Sequence, residues 1–158
     1  MQATEPLDPH RRLAELKLVL PPPSPPGGVY TPAVRSGRYV FVSGQIPMEQ
    51  GAVTTVGKVG AEVTPEQAYT LSRHCALAAL AAIDAVAGLD RVSQVVKVTG
   101  YVASATDFTA QAGVVDGASE LLLAVFGPAG RHARSSVGVA ELPRGAPVEI
   151  EITVEITP

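Results

Sequence analysis

Val148-Glu149-Ile150-Glu151-Ile152-Thr153-Val154-Glu155-Ile156 alternates apolar and polar side chains without a break. Successive side chains of a strand point to opposite faces, so this period of two predicts a strand with one buried and one polar face. Just upstream, Leu142-Pro143-Arg144-Gly145-Ala146-Pro147 has the composition of a tight connection. It predicts a hairpin with a preceding strand over Arg134 to Glu141, which would bring Arg134 and Glu149 near each other.

Working outward, Gly127-Pro128-Ala129-Gly130 ends a helical region predicted from Asp107 to Phe126, with Val114, Ala118, Leu121, Leu122 and Val125 as its buried stripe. Val92 to Ser104 is rich in β-branched residues and predicts a strand. Thr64-Pro65-Glu66-Gln67 marks a helix start, with Thr64 as cap, Pro65 at the first helical position and Gln67 closing a capping box. That helix is expected to reach Ala87 and stop at Gly88. Tyr30 to Arg35 and Tyr39 to Ile46 predict two further strands, and Gly44 within the second predicts a bulge or a close backbone approach. Residues 48–63 predict a loop or a short edge strand. Pro9 to Leu20 predicts a short helix with Leu13, Leu16 and Val19 on one face, followed by the proline-rich Pro21 to Gly28. The expectation is an α+β domain over 29–158, with a mixed sheet of about six strands and two helices packed on it, preceded by an extension and linker over 1–28.

The 158-residue chain suits one domain, and 46% hydrophobic residues suffice for its core. A net charge of −3, no Lys/Arg cluster and no Trp argue against a nucleic-acid surface. The longest apolar run, Cys75 to Ile83, is too short to span a bilayer. One cysteine and no targeting segment lead to an expected cytoplasmic location without membrane partners.

The sequence holds no phosphate-binding glycine loop, HExxH or GxSxG motif. His10, His74 and His132 lie far apart, so no metal is expected. Cys75 falls on the apolar stripe of its helix and reads as a core thiol. Arg134 and Glu149 are the residues with chemistry in reach. A guanidinium grips a carboxylate through two parallel hydrogen bonds, and a carboxylate in a cleft can orient or deprotonate water. By spacing alone, the pair reads first as a cross-strand salt bridge or two solvated charges.

Three pieces add to this reading: Tyr39-Val40-Phe41-Val42-Ser43-Gly44-Gln45-Ile46-Pro47, Val95-Val96-Lys97-Val98-Thr99-Gly100-Tyr101-Val102, and Ala133-Arg134-Ser135-Ser136-Val137-Gly138-Val139-Ala140-Glu141-Leu142-Pro143. With Val148-Glu149-Ile150-Glu151 they resemble, in order, the RidA/YjgF family, also called the L-PSP endoribonuclease family. Gly57-Lys58-Val59-Gly60, Gly127 to Arg134 and the N-terminal extension are similar to a longer branch of it. The resemblance implies a chorismate-mutase-like subunit, a homotrimer with clefts between subunits, and hydrolysis of reactive 2-imino acids to 2-keto acids and ammonia without a cofactor. It further implies Arg134 as anchor for the substrate carboxylate and Glu149 as the acid that positions water. Tyr30, Ser43, Gly44 and Ser136 would contact the ligand. A non-catalytic carboxylate-binding trimer and a ribonuclease or translation inhibitor are the alternatives. Three departures bear on the substrate: Ser136 replaces a frequent cysteine, Asp116 lies near a frequent asparagine where its charge would repel a carboxylate, and Gly138 replaces a larger residue, which would widen the pocket.

Overall fold

A computed structural model describes residues 8–158 of the chain. Strands β1 (Ala33–Ser36), β2 (Tyr39–Val42), β3 (Val92–Ala103), β4 (Ala133–Val139) and β5 (Val148–Ile156) form one mixed sheet in the spatial order β1-β2-β5-β3-β4. β3 and β4 run parallel and the other neighbours antiparallel. Helices α2 (Pro65–Ala87) and α3 (Gln111–Phe126) pack on one face, and α1 (Pro9–Glu15) packs its buried Leu13 into the same core.

The alternating segment is β5, the centre of the sheet. Val148, Ile150, Ile152, Val154 and Ile156 are all buried beneath the helices. Burying such a side chain is worth about 1.5–3 kcal/mol, so this one strand fixes which face of the sheet the helices cover. Glu149, Glu151, Thr153 and Glu155 point to the other face, where no helix of the described residues lies. Val34, Phe41 and Tyr39 stand exposed on that open face, with Val137 of β4.

α2 begins as its sequence predicts. The Gln67 N–H donates to Thr64 Oγ1 (3.1 Å), the Thr64 N–H donates to Gln67 Oε1 (2.9 Å), and Gly88 ends the helix at φ 85°. The small residues let α2 and α3 approach closely: a Cβ on Gly117 would lie 2.1 Å from the Tyr69 carbonyl oxygen. α2, and α3 together with the turn that continues it to Gly130, are long and apolar enough to cross a membrane by composition, and here much of that apolar surface is spent on the sheet and on each other.

Several expectations are corrected. The sheet has five strands, because residues 48–63 form isolated bridges, interrupted by Gly51, Gly57 and Gly60 in the left-handed half of φ. α3 starts at Gln111 and not at Asp107, which takes φ 66° in the preceding turn. α1 stops at Glu15 because Lys17 turns left-handed (φ 57°), so Val19 is exposed and never joins the Leu13 face. The largest correction concerns Arg134 to Glu149. β4 and β5 are not a hairpin: β3 lies between them, and the connection over 140–147 crosses its end. β4 pairs with β3 in parallel after α3, a β-α-β unit whose hydrogen bonds outrank the short connection that follows it.

Candidate active site

A cavity of about 290 Å3 opens beside the start of β5, lined by Glu149, Gly44, Tyr30, Met48 and Arg144 and walled by the proline-rich Ser24 to Gly27. Glu149 reaches it from the open face of the sheet. Beneath it, Gln45 and Ile150 exchange backbone hydrogen bonds (2.8 and 3.0 Å), which locks the Gly44 backbone against β5. A Cβ on Gly44 would lie 1.8 Å from Glu149 Oε1. The missing side chain is thus the seat of the carboxyl group, the close approach that glycine in a strand pattern signals.

The Glu149 carboxyl is half-buried and has no hydrogen-bond or ion-pair partner among the described residues. Burial, and then the nearby Glu151, push its pKa above the usual carboxylate range. Glu151 is itself held by the Tyr101 hydroxyl, which donates to it at 3.0 Å. Tyr30 is half-exposed, and its hydroxyl accepts the Gly27 N–H at 3.1 Å, tying the proline-rich wall to the pocket rim. Ser43 stands beside the pocket with its hydroxyl donating to the Thr31 carbonyl (2.6 Å), not facing the cavity.

Arg134 lies elsewhere. Its register partner on β3 is Val98, on the helix-covered face, whereas Glu149 pairs with Tyr101 on the open face. The Arg134 guanidinium turns onto α3, donating through Nη1 to Asp116 Oδ1 (2.7 Å) and Ser119 Oγ (3.1 Å), and through Nη2 to the Ala112 carbonyl (3.3 Å). His132 completes this network, with Nε2 2.9 Å from Ser119 Oγ and Nδ1 2.6 Å from the Gly130 carbonyl. A carbonyl accepts only, so the Nδ1 proton points there and Nε2 accepts from Ser119. His132 is therefore no idle loop residue but the far end of the chain of bonds that orients Arg134.

Two of the departures read differently in three dimensions. Asp116 does not stand free to repel a carboxylate, because it is spent on Arg134. Gly138 does not widen a pocket: a Cβ there would meet Gln111 Nε2 at 2.9 Å and Ser104 Oγ at 3.0 Å, so neighbouring side chains fill the space. Ser136 lies beside Arg134 on the same face, and its buried hydroxyl has no partner among the described residues. Cys75 is fully buried, and desolvation pushes its thiol well up in pKa, which keeps it inert.

The fold thus gathers Tyr30, Gly44 and Glu149 in one pocket and sets Arg134 and Ser136 two strands away on the opposite face. Sequence reasoning missed Arg144, the cation in the Glu149 pocket. Its signal was Pro143-Arg144-Gly145, a turn placed directly ahead of the strand that carries Glu149. Among the described residues no three His, Cys, Asp or Glu side chains cluster as a metal site would require.

The profile of the endoribonuclease L-PSP family matches residues 23–156. Protein TCP17 of Trypanosoma cruzi is 42% identical over 146 residues, covering 91% of both chains. The 2-iminobutanoate/2-iminopropanoate deaminase of Dermatophagoides farinae is 37% identical over 133 residues, covering 83% of this chain and 88% of that protein. The crystal structure of protein Atu1372 from Agrobacterium tumefaciens superposes with a TM-score of 0.85 at 41% identity, covering 94% of this chain and 91% of that one.

Proposed function

The chain belongs to the endoribonuclease L-PSP family, and on that premise we propose that it hydrolyses small, reactive 2-imino acids to 2-keto acids and ammonia. The observation that carries this reading is the Glu149 carboxyl: half-buried, unpaired, raised in pKa and seated on Gly44 in a small cavity. A general base needs a pKa near the working pH, and burial moves Glu149 in that direction. In the proposed reaction Glu149 takes a proton from water as the oxygen adds to the imine carbon. Glu149 passes that proton to the imine nitrogen, giving a neutral carbinolamine, and as the C–N bond breaks it relays the carbinolamine hydroxyl proton to the nitrogen, so that the ketone and ammonia are released. An enamine first tautomerises to the imine. The imine carbon is already electrophilic, so positioning supplies most of what the protein must add.

The substrate carboxylate requires an anchor, and we assign it to Arg134 of a neighbouring subunit. Within one subunit Arg134 and Glu149 face opposite sides of the sheet and cannot share a small ligand. The exposed apolar side chains of the open face favour a trimer in which that face is covered. Light scattering should then give three times the 16.3 kDa subunit mass.

The test uses two inactive variants, Arg134→Ala and Glu149→Gln, assayed for keto-acid and ammonia release from enzymatically generated 2-iminopropanoate. Each alone should be inactive. After they are mixed in equal amounts, unfolded together and refolded, roughly a quarter of all sites would combine an intact Arg134 with an intact Glu149. Recovered turnover supports a shared site, and a mixture as inactive as its parts would discard it.

A further inference from the structure

The Glu149 pocket holds a cation that the deaminase reading leaves unused. Arg144 lines the cavity, and its exposed guanidinium touches Met48 Sδ at 3.8 Å without an acidic partner among the described residues. It is not spent on Glu149, since the two form no ion pair. Arg134 differs on each count, being partly buried and committed to Asp116.

The backbone fixes where Arg144 starts. It takes φ 58° and ψ 19°, a left-handed conformation that is unfavourable for a non-glycine residue, whose Cβ crowds the following carbonyl oxygen. The turn around it is clamped by hydrogen bonds from Gly145 N to the Leu142 carbonyl, from Ala146 N to the Pro143 carbonyl and from Gly57 N to the Gly145 carbonyl, each 3.1 Å. Such strain persists where the surroundings over-determine it, and it gathers at binding sites. Here the surroundings hold a long cationic side chain at the rim of the pocket.

We propose that Arg144 is a second anion subsite, so that the pocket selects dicarboxylic 2-imino acids over those with a short alkyl tail. The inference rests on the deaminase reading. In that reading the α-carboxylate goes to Arg134 of a neighbour and C2 lies within reach of water on Glu149. The far end of the substrate then lies in the pocket of the Glu149 subunit, where the charge on offer is a guanidinium, suited to a terminal carboxylate through paired hydrogen bonds. The cavity volume of about 290 Å3 lies at the small end of ligand pockets and fits a short-chain acid.

Titration calorimetry on the intact protein tests it, with 2-oxobutyrate and 2-oxoglutarate as stable stand-ins for mono- and dicarboxylic substrates. The wild type should bind 2-oxoglutarate roughly tenfold or more tighter, the scale of a hydrogen bond to a charged group. Arg144→Met should erase that preference and leave 2-oxobutyrate binding unchanged. Arg144→Gly should do the same, and its fold is secure because glycine suits the left-handed backbone. Equal binding of both acids by the wild type, a preference that survives both substitutions, or an equal loss for both acids overturns the proposal. A preference that behaves as expected without any keto acid or ammonia released from imines would retain the subsite and remove the deaminase reading.

Discussion

Arg134 and Glu149 stand fifteen positions apart in sequence and live in opposite electrostatic conditions. Arg134 is satisfied three times over, by Asp116, Ser119 and the Ala112 carbonyl, on the face that the helices cover. Glu149 has no partner among the described residues, sits half out of solvent and is raised in pKa on the open face. A fully bonded charge is a positioned one, and an unbonded carboxyl in a cavity is one held ready for a proton. In the proposed reaction the difference separates an element that fixes geometry from an element that performs chemistry.

The contrast can be broken at several points. The largest effect is expected from Glu149→Gln, which should lower turnover by about 10²–10⁴-fold, the usual contribution of a general base. The same variant should not lose stability. A raised folded-state pKa means the protonated form favours folding; that contribution is present below the usual 4.5 and is lost as pH rises through the folded value. Thermal melts should therefore show Glu149→Gln gaining on wild type as pH is raised through that window, and a loss instead would mean the carboxylate has a stabilising partner. Arg134→Ala should reduce kcat/KM by roughly 10²–10⁴-fold, the worth of two hydrogen bonds to a charge. It should destabilise by only about 1 kcal/mol or less, because its partner Asp116 remains half-exposed to water. Asp116→Asn sharpens the comparison from the other side. It frees the guanidinium and should lower KM a few-fold, and a raised KM would make Asp116 necessary for orientation. Gly44→Ala should cut kcat about tenfold through displacement of the Glu149 carboxyl, with a melting midpoint within roughly 4 °C of wild type. The smallest effect is expected from Tyr101→Phe, which removes the hydrogen bond to Glu151 and should cost about 0.5–1.5 kcal/mol in chemical denaturation.

Much of this was legible in the chain. The alternation of β5 and the Thr64 to Gln67 capping box are local signals, and they fixed the central strand and the long helix. Gly44 was readable as a close approach, though not against which atom. The pairing of β4 was not readable, because strand adjacency is decided by the α3 crossover and not by the turn-like residues that follow β4. That single topological fact turned an expected Arg134–Glu149 neighbourhood into two separate faces. Asp116 and Ser119 were equally hidden, since their role depends on which helix surface meets β4. Arg144 was overlooked because a turn residue shows its direction only once the strand behind it is in place.

The proline-rich segment from Ser24 to Gly27 carries a practical consequence. It forms one wall of the cavity and is tethered at Gly27 through the Tyr30 hydroxyl. Pro158 follows the opposite end of β5, about 23 Å from Glu149 at the rise of an extended strand. The two termini are therefore not equivalent as handles. Trimming through Gly27 removes a wall of the cavity, whereas trimming Pro158 touches none of its lining. Material trimmed through Gly27 should be expected to differ in apparent affinity for ligands of that cavity.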